Sequence, residues 1–301
     1  SSQEFELQNS QSPIWRRDPK EVTEEEYKNF YKSITSSHDD YLTYVHFKVE
    51  GKREFTCLLF IPKTAPYDLF REKKEEAEIS LHVKRVFVTK TCKEIVPEYL
   101  TFLKGIVDSE DIPLNISREM LQEKNTYIQT IRNQATKKVL ECLSEMSEDM
   151  YTSFYDQYNK NIKLGMHSDS KNRDKLASLL RYYSVNSQDK QISLKNYVDN
   201  MKEGQKAIYY ITGNQKHDLI KSPFTECVKK KGYDVLLMWE PLDEYVMQVY
   251  TKYEEIEMCN ITKNDLKFDD DIQEDKTDYK SFFDYVTKVL SGRVNKVTNS
   301  K

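Results

Sequence analysis

The sequence predicts an α/β protein built as two αβα layered domains joined by helices. Three observations predict it. Short apolar strands alternate with helix-period segments in both halves of the chain. The 301 residues suggest about two domains at roughly 100–200 residues each. Seven glycines and eight prolines make up about 5% of the chain, against roughly 12% in average usage, so the elements are expected to be long and the connections short.

Residues 1–12 read as a disordered lead-in. Thr23 and Glu26 then form a T-x-x-E capping box, and Tyr27, Phe30, Tyr31 and Ile34 step along one face of a helix of about 12 residues. Tyr41–Val49 and Phe55–Ile61 are strands separated by a turn at Gly51, and ISLHVKRVFV (Ile79–Val88) alternates as a third strand. No glycine or proline occurs from Leu114 to Leu164. Ile128, Ile131, Ala135, Val139, Leu140, Leu143 and Met146 recur by threes and fours, which predicts one helix of about 30 residues, roughly 45 Å long. Further helices run through Phe154–Tyr158 and Leu176–Tyr182. Ala207–Thr212 and Tyr233–Trp239 are buried strands, and His217–Lys231 is a helix with Pro223 in its first turn and Gly232 ending it. An acidic loop (Asp265–Asp278) and a helix through Phe282–Leu290 close the pattern. The expected organisation is a larger domain at 13–147, a helical connector at 148–204 and a smaller domain at 205–301.

Several chemistries are excluded. The closest two glycines are nine residues apart, so no GxGxxG, P-loop or GxSxG elbow exists. The five cysteines contain no CxxC and read as reduced thiols. The five histidines form no HxH or HxxxH, so no metal site is expected. Asp269–Asp271 with Glu274 and Asp275 lacks EF-hand spacing and reads as a solvated loop. The net charge of −4 points to no nucleic-acid partner, and no apolar run approaches a membrane span.

The stretch VDSEDIPLNISREMLQ (Val107–Gln122) holds the most chemistry. Pro113, Asn115 and Ser117 place a helix start there, which puts Arg118 in the first turn, with Gln122 on its face at i+4. A cation is unwelcome among the free N–H groups of a helix N-terminus. Asn115, Arg118 and Gln122 therefore suit an external anion, above all a phosphate. The competing role for Arg118 is an ion pair with Asp108, Glu110 or Asp111, and spacing leaves both open. Trp15 covers a core edge or anchors a surface. The loop Pro62–Phe70 carries Tyr67, Leu69 and Phe70, which either pack beneath it or form an apolar docking surface.

PIWRRDPKEVTEEEYKNFYKS, HFKVEGKREFTCLLFIPKTAPYDLF, VDSEDIPLNISREMLQ, NIKLG with NRDKLASLLRYYS, and MKEGQKAIYYITG resemble the middle segment of the 90-kDa heat-shock protein chaperone family, in order from about Ser12 to Val297. The resemblance implies a ribosomal-protein-S5-like larger domain. It also implies an ATP-driven dimeric chaperone in which an N-terminal domain binds ATP with Mg²⁺ and a C-terminal domain dimerises. This chain resembles only the middle part, so it is expected to hold no cofactor and to turn over no ATP alone.

The resemblance further implies that Arg118 reaches the γ-phosphate of ATP held by the N-terminal domain, supported by Asn115 and Gln122. Trp15, Tyr67, Leu69, Phe70 and Phe87 match surfaces used for client proteins or for the nucleotide domain, and an ATPase-activating co-chaperone is a further partner. His38 stands where many members carry Trp, and Tyr67 where Phe is common, so the client contacts are less secure than the arginine. The alternative is a docking scaffold for clients and co-chaperone with Arg118 structural. PKTAPYDLF and HSDSKNR favour the cytoplasm; KKKGYDV and VLSGRV favour an organelle of the endoplasmic-reticulum or mitochondrial kind.

Overall fold

The computed structural model describes residues 12–35, 39–65, 77–92, 94–112, 126–187, 189–263, 280–290, 294 and 297. Two compact units divide the chain: residues 1–181 with 248–250, and residues 182–247 with 251–301.

In the first unit, α1 (Glu24–Ile34) precedes β1 (Tyr41–Val49), β2 (Phe55–Pro62), β3 (Glu78–Val83), β4 (Val86–Thr89) and β5 (Lys104–Ser109). The strands form one sheet in the order β1-β2-β5-β3-β4, with β3 and β5 parallel and the other pairs antiparallel. Three helices follow: α2 (Thr126–Glu145), α3 (Glu148–Ser168) and α4 (Arg173–Leu179). β2 reads FTCLLFIP and every residue of it is buried, as a strand covered on both faces requires. Leu58 and Phe60 pack on one face with Tyr27 and Tyr31 of α1. The alternate residues Cys57, Leu59 and Ile61 point to the other face and are equally inaccessible. On the helical side, Tyr158 of α3 stacks on Phe102 with centroids 4.2 Å apart and donates to the Pro62 carbonyl at 3.0 Å.

The capping box at the start of α1 forms as expected. The Glu26 N–H donates to Thr23 Oγ1 at 3.3 Å, and the Thr23 N–H donates back to Glu26 Oε2 at 2.8 Å. The Thr23 backbone N–H, then Arg17 and the Thr23 hydroxyl, hold the Glu26 carboxyl down at about 2, against 4.5. A depressed carboxylate stabilises the fold fully above its unfolded pKa and loses that contribution as pH falls through the folded value. Thr23→Ala should therefore cost about 1 kcal/mol in chemical denaturation at pH 7. The penalty should shrink as pH falls from about 4.5 towards 2, and a pH-independent penalty would show that Glu26 takes no part in the cap.

The second unit contains β6 (Arg181–Ser184), β7 (Ile192–Ser193), α5 (Leu194–Asp199), β8 (Ala207–Thr212), α6 (Lys216–Ile220), α7 (Pro223–Lys230), β9 (Leu236–Met238), α8 (Pro241–Val249), β10 (Lys252–Tyr253), β11 (Ile256–Asn260) and α9 (Lys280–Val289). Its sheet order is β10-β11-β8-β9-β6-β7, with a parallel centre of β11, β8 and β9. The core joins Tyr209, Ile211, Val235 and Leu237 of the sheet region to Leu219 and Val228 of α6 and α7. Both units are thus sheets packed with helices, as the α/β reading expects.

Four local expectations need correction. Ile79–Val88 is a hairpin, not one strand. Lys84 (φ 50°) and Arg85 (φ 68°) take the two left-handed turn positions between β3 and β4. Neither is the Gly or Asn that marks such a turn, so the alternation reads straight through it. His217–Lys231 is two helices, because Ser222 is extended (ψ 136°) ahead of Pro223 and a residue before proline is pushed out of the helical region. Leu176–Tyr182 is not all helix: Leu180 is extended and Tyr182 lies in β6, drawn there by pairing with β9. The long helix ends at Glu145, and Ser147 caps α3 by accepting from the Met150 N–H. Within residues 148–204, expected as helices, β6 and β7 accompany α3, α4 and α5. Asn115, Arg118, Gln122, Tyr67, Leu69, Phe70, His38 and the acidic loop 265–278 lie outside the described residues.

Candidate functional site

β5 carries Asp108, whose side chain is wholly buried and engaged by three groups from two separate segments. The Trp15 indole N–H donates to Oδ2 at 3.1 Å and Arg16 Nη1 to the same oxygen at 3.3 Å. The Arg85 N–H, in the left-handed hairpin turn, donates to Oδ1 at 3.2 Å. A buried carboxylate costs several kcal/mol unless paired and hydrogen-bonded, and here a cation, an indole and an amide meet that demand. Arg16 also pairs with Glu110. Burial alone would lower the Arg16 pKa, but the bond and charge of Glu110, joined by Asp108, raise it on balance.

Aromatic rings extend the cluster. Trp15 lies 5.7 Å from Phe30 and 5.5 Å from His82, and His82 meets Phe87 edge-on at 5.6 Å. Trp15 is therefore at a core edge, half-buried. Phe87 and Val86 sit at the hairpin tip and are 57% and 53% exposed. Burial lowers the His82 pKa, with Asp108 opposing. His46 is lowered for the same first reason, although its Nε2 lies 3.0 Å from the Trp15 carbonyl and its Nδ1 2.7 Å from the Tyr27 hydroxyl. Both rings are therefore biased to the neutral form; His46 hydrogen-bonds to Tyr27 and Trp15, whereas His82 packs between the Trp15 and Phe87 rings with its Nδ1 buried and unbonded.

Of the residues the sequence singled out, the structure brings Trp15 and Phe87 together through His82, which sequence reasoning passed over as one more residue of an alternating strand. Arg16 and Arg85 were missed too. Only their tertiary pairing with Asp108 marks them, and no spacing encodes it. Asp108, Glu110 and Asp111, the three candidate partners of Arg118, each have a partner among the described residues. Arg16 takes the first two, and the Glu54 N–H donates to the Asp111 carboxylate. Among the described residues no group of three His, Cys, Asp or Glu could hold a metal ion, and no helix is long and apolar enough to cross a membrane. All five cysteines are free, in line with reduced thiols.

Known proteins share this sequence and fold. The family model described as Hsp90 protein matches residues 1–301. Heat shock protein 83 of Leishmania donovani is 47% identical over 271 residues, 89% of this chain and 60% of that protein. An endoplasmin homolog of Caenorhabditis elegans is 42% identical over 268 residues, 89% of this chain and 35% of that protein. The chain thus spans about a third to three-fifths of the length of these relatives. Among solved structures, the middle domain of a Plasmodium falciparum heat shock protein superposes with a TM-score of 0.72 at 39% identity, covering 83% of this chain and 100% of that one. These matches together show that the chain belongs to the Hsp90 family of chaperones, and that the part of that family it corresponds to is the middle domain.

Proposed function

We propose that this chain completes the ATP site of a chaperone whose nucleotide, with its Mg²⁺, is held by a separate N-terminal domain, and that Arg118 is the group it contributes. Hydrolysis spreads charge over the oxygens of the transferred phosphoryl group, and a guanidinium placed there beforehand stabilises that charge without reorganising at the moment of reaction. Asn115 and Gln122 support its placement. Because the arginine comes from a different domain, turnover waits for docking, so closure gates hydrolysis.

The observation that carries this reading is the occupation of Asp108, Glu110 and Asp111 by Arg16, Trp15, Arg85 and Glu54. Each of the local acids that could make Arg118 an internal ion pair already has a partner among the described residues. The test is complementation: adding this chain to an isolated ATP-binding domain from a relative should raise ATP turnover, and an unchanged rate sinks the reading. The C-terminal dimerisation domain and an ATPase-activating co-chaperone complete the partners, with the cytosol as compartment on the PKTAPYDLF and HSDSKNR segments.

Client docking is the second reading, favoured by the exposed tip of the β3–β4 hairpin. Val86 and Phe87 stand out together, backed by His82 and Trp15. An exposed aromatic on a rigid support loses little entropy on binding and suits an apolar client segment. Phe87→Ser should weaken binding of an unfolded client by about 1–2 kcal/mol, roughly a five- to thirtyfold rise in Kd. Fluorescence anisotropy checks it. Unaltered affinity would remove this tip from the client surface.

A further inference from the structure

The second unit holds a cavity of about 320 Å³, lined from β6, β7, α5 and the chain that leads into β9. Its size is at the lower end of the roughly 300–1,000 Å³ of small-ligand sites. Its floor is a saturated hydrogen-bonded frame. The buried Tyr197 hydroxyl donates to the Asp234 carbonyl at 2.6 Å and accepts from Gln205 Nε2 at 3.0 Å and from the Tyr209 N–H at 3.1 Å, which is all that a phenol can do. Gln205 Nε2 also donates to the Ala207 carbonyl at 2.8 Å, and its Oε1 accepts from the Lys202 N–H at 3.3 Å.

The upper lining has capacity left. Asp234 Oδ1 accepts from the Asn186 N–H at 3.0 Å and from the Val235 N–H at 2.8 Å, which fixes the carboxylate and leaves Oδ2 open. The Asn186 and Asn196 carboxamides and the Lys202 ammonium also line the cavity, and none of the three has a partner among the described residues. Ile192 and Met201, both half-buried, add an apolar wall. A rigid floor under open amides, one fixed carboxylate and one ammonium suits a ligand that carries amides and a positive charge. A nucleobase would want an exposed ring to stack on, and Tyr197, the aromatic of the lining, is buried. A phosphate would set its charge against Asp234 with Lys202 alone to offset it.

We propose that this cavity binds the N-terminal end of a peptide. The α-ammonium pairs with Asp234 Oδ2. The first peptide groups pair with the Asn186 and Asn196 carboxamides, each of which offers both a donor and an acceptor. The first side chain lies against Ile192 and Met201, and a carboxylate further along meets Lys202. A free short peptide and the N-terminus of a partner protein share this chemistry. The site is independent of the role given to Arg118.

The experiment follows the backbone amide resonances of the full chain by NMR as leucyl-glycyl-glycine is added. Binding at about 1 mM is expected for so small a polar ligand, with shifts confined to residues 184–205 and 234–235. The Nα-acetylated tripeptide should bind about tenfold more weakly or worse, having lost a charge-assisted hydrogen bond. The C-terminal amide should lose at most about fivefold, as an exposed ion pair would. Asp234→Asn retains an acceptor for the two N–H groups and should make free and acetylated peptides bind alike, with the melting midpoint within about 2 °C of the parent. Lys202→Gln should erase the difference between carboxylate and amide. A longer peptide with the same N-terminus distinguishes the sources: tighter binding points to a partner protein, equal binding to a free short peptide.

Absence of shifts, shifts outside the cavity, or equal binding of free and acetylated peptides to the parent chain overturns the proposal. That last comparison needs no variant, so it decides the matter even if Asp234→Asn unfolds.

Discussion

Replacing Arg118 by alanine should remove most of the ATP turnover that this chain confers on a separate ATP-binding domain, by about 10²–10³-fold. The size follows from where the charge acts. A preorganised donor aimed at oxygens that gain charge only in the transition state contributes little to ground-state binding and several kcal/mol to the barrier. The expected signature is therefore a collapsed plateau rate with ATP affinity and melting midpoint unchanged. Arg118→Lys should fall between the two, because an ammonium keeps the charge and loses the bidentate fork. Two controls belong to the measurement. This chain alone should turn over no ATP, and its circular dichroism should be the same with and without the substitution. Equal stimulation by the parent chain and by its Arg118→Ala variant would return Arg118 to a structural role and leave the docking-scaffold reading in possession.

Gly105→Ala should do the most damage to the fold. Gly105 opposes Leu59 across the β2–β5 pair. A Cβ built there would stand 2.1 Å from the Leu58 carbonyl oxygen and 2.9 Å from Leu59 Cα. Both obstacles are backbone, so no side chain can swing aside. β2 cannot retreat either, since its other edge is paired with β1 from Phe55 to Pro62. The whole register would have to shift, at a cost of at least about 4 kcal/mol, a large share of the roughly 5–15 kcal/mol that holds a typical domain together. Thermal unfolding should show a loss of well over about 10 °C or no cooperative transition at all. A melting midpoint within a few degrees of the parent would mean that the β2–β5 contact relaxes without cost.

The contrast between these residues and the hairpin shows how far reading the chain could go. The capping box at Thr23 and Glu26 was legible because its interactions span three residues and need nothing else. β1 and β2 were legible because an apolar run of that length has few other ways to hide. The turn at Lys84 and Arg85 was not. Its left-handed backbone is stabilised from β5, where Asp108 takes the Arg85 N–H and Ser109 the Lys84 N–H, and nothing in VKRV announces that help. The break at Ser222 was half legible: Pro223 was noticed, but its effect on the preceding residue was underweighted. β6 was hidden because four residues that continue a helical pattern become a strand only when β9 offers an edge.

At the site, Arg118, Asn115 and Gln122 were picked out by local chemistry, a cation placed where a helix start disfavours it. Trp15 was noticed before the first helix as a core-edge cover or surface anchor, and Phe87 came from resemblance. What the chain alone determined was the α/β class, the capping and periodicity of its longer helices, the absence of glycine-rich phosphate loops and of local metal-ligand spacing, and the singularity of the Val107–Gln122 stretch. Each depends on neighbours a few residues apart. Tertiary structure alone decided that Asp108 is the buried junction of Trp15, Arg16 and Arg85, that His82 bridges Trp15 to Phe87, and that Arg53 reaches across to α2. Most of those contacts join residues separated by tens of positions, and their strength comes from a burial that exists only once the sheet has formed.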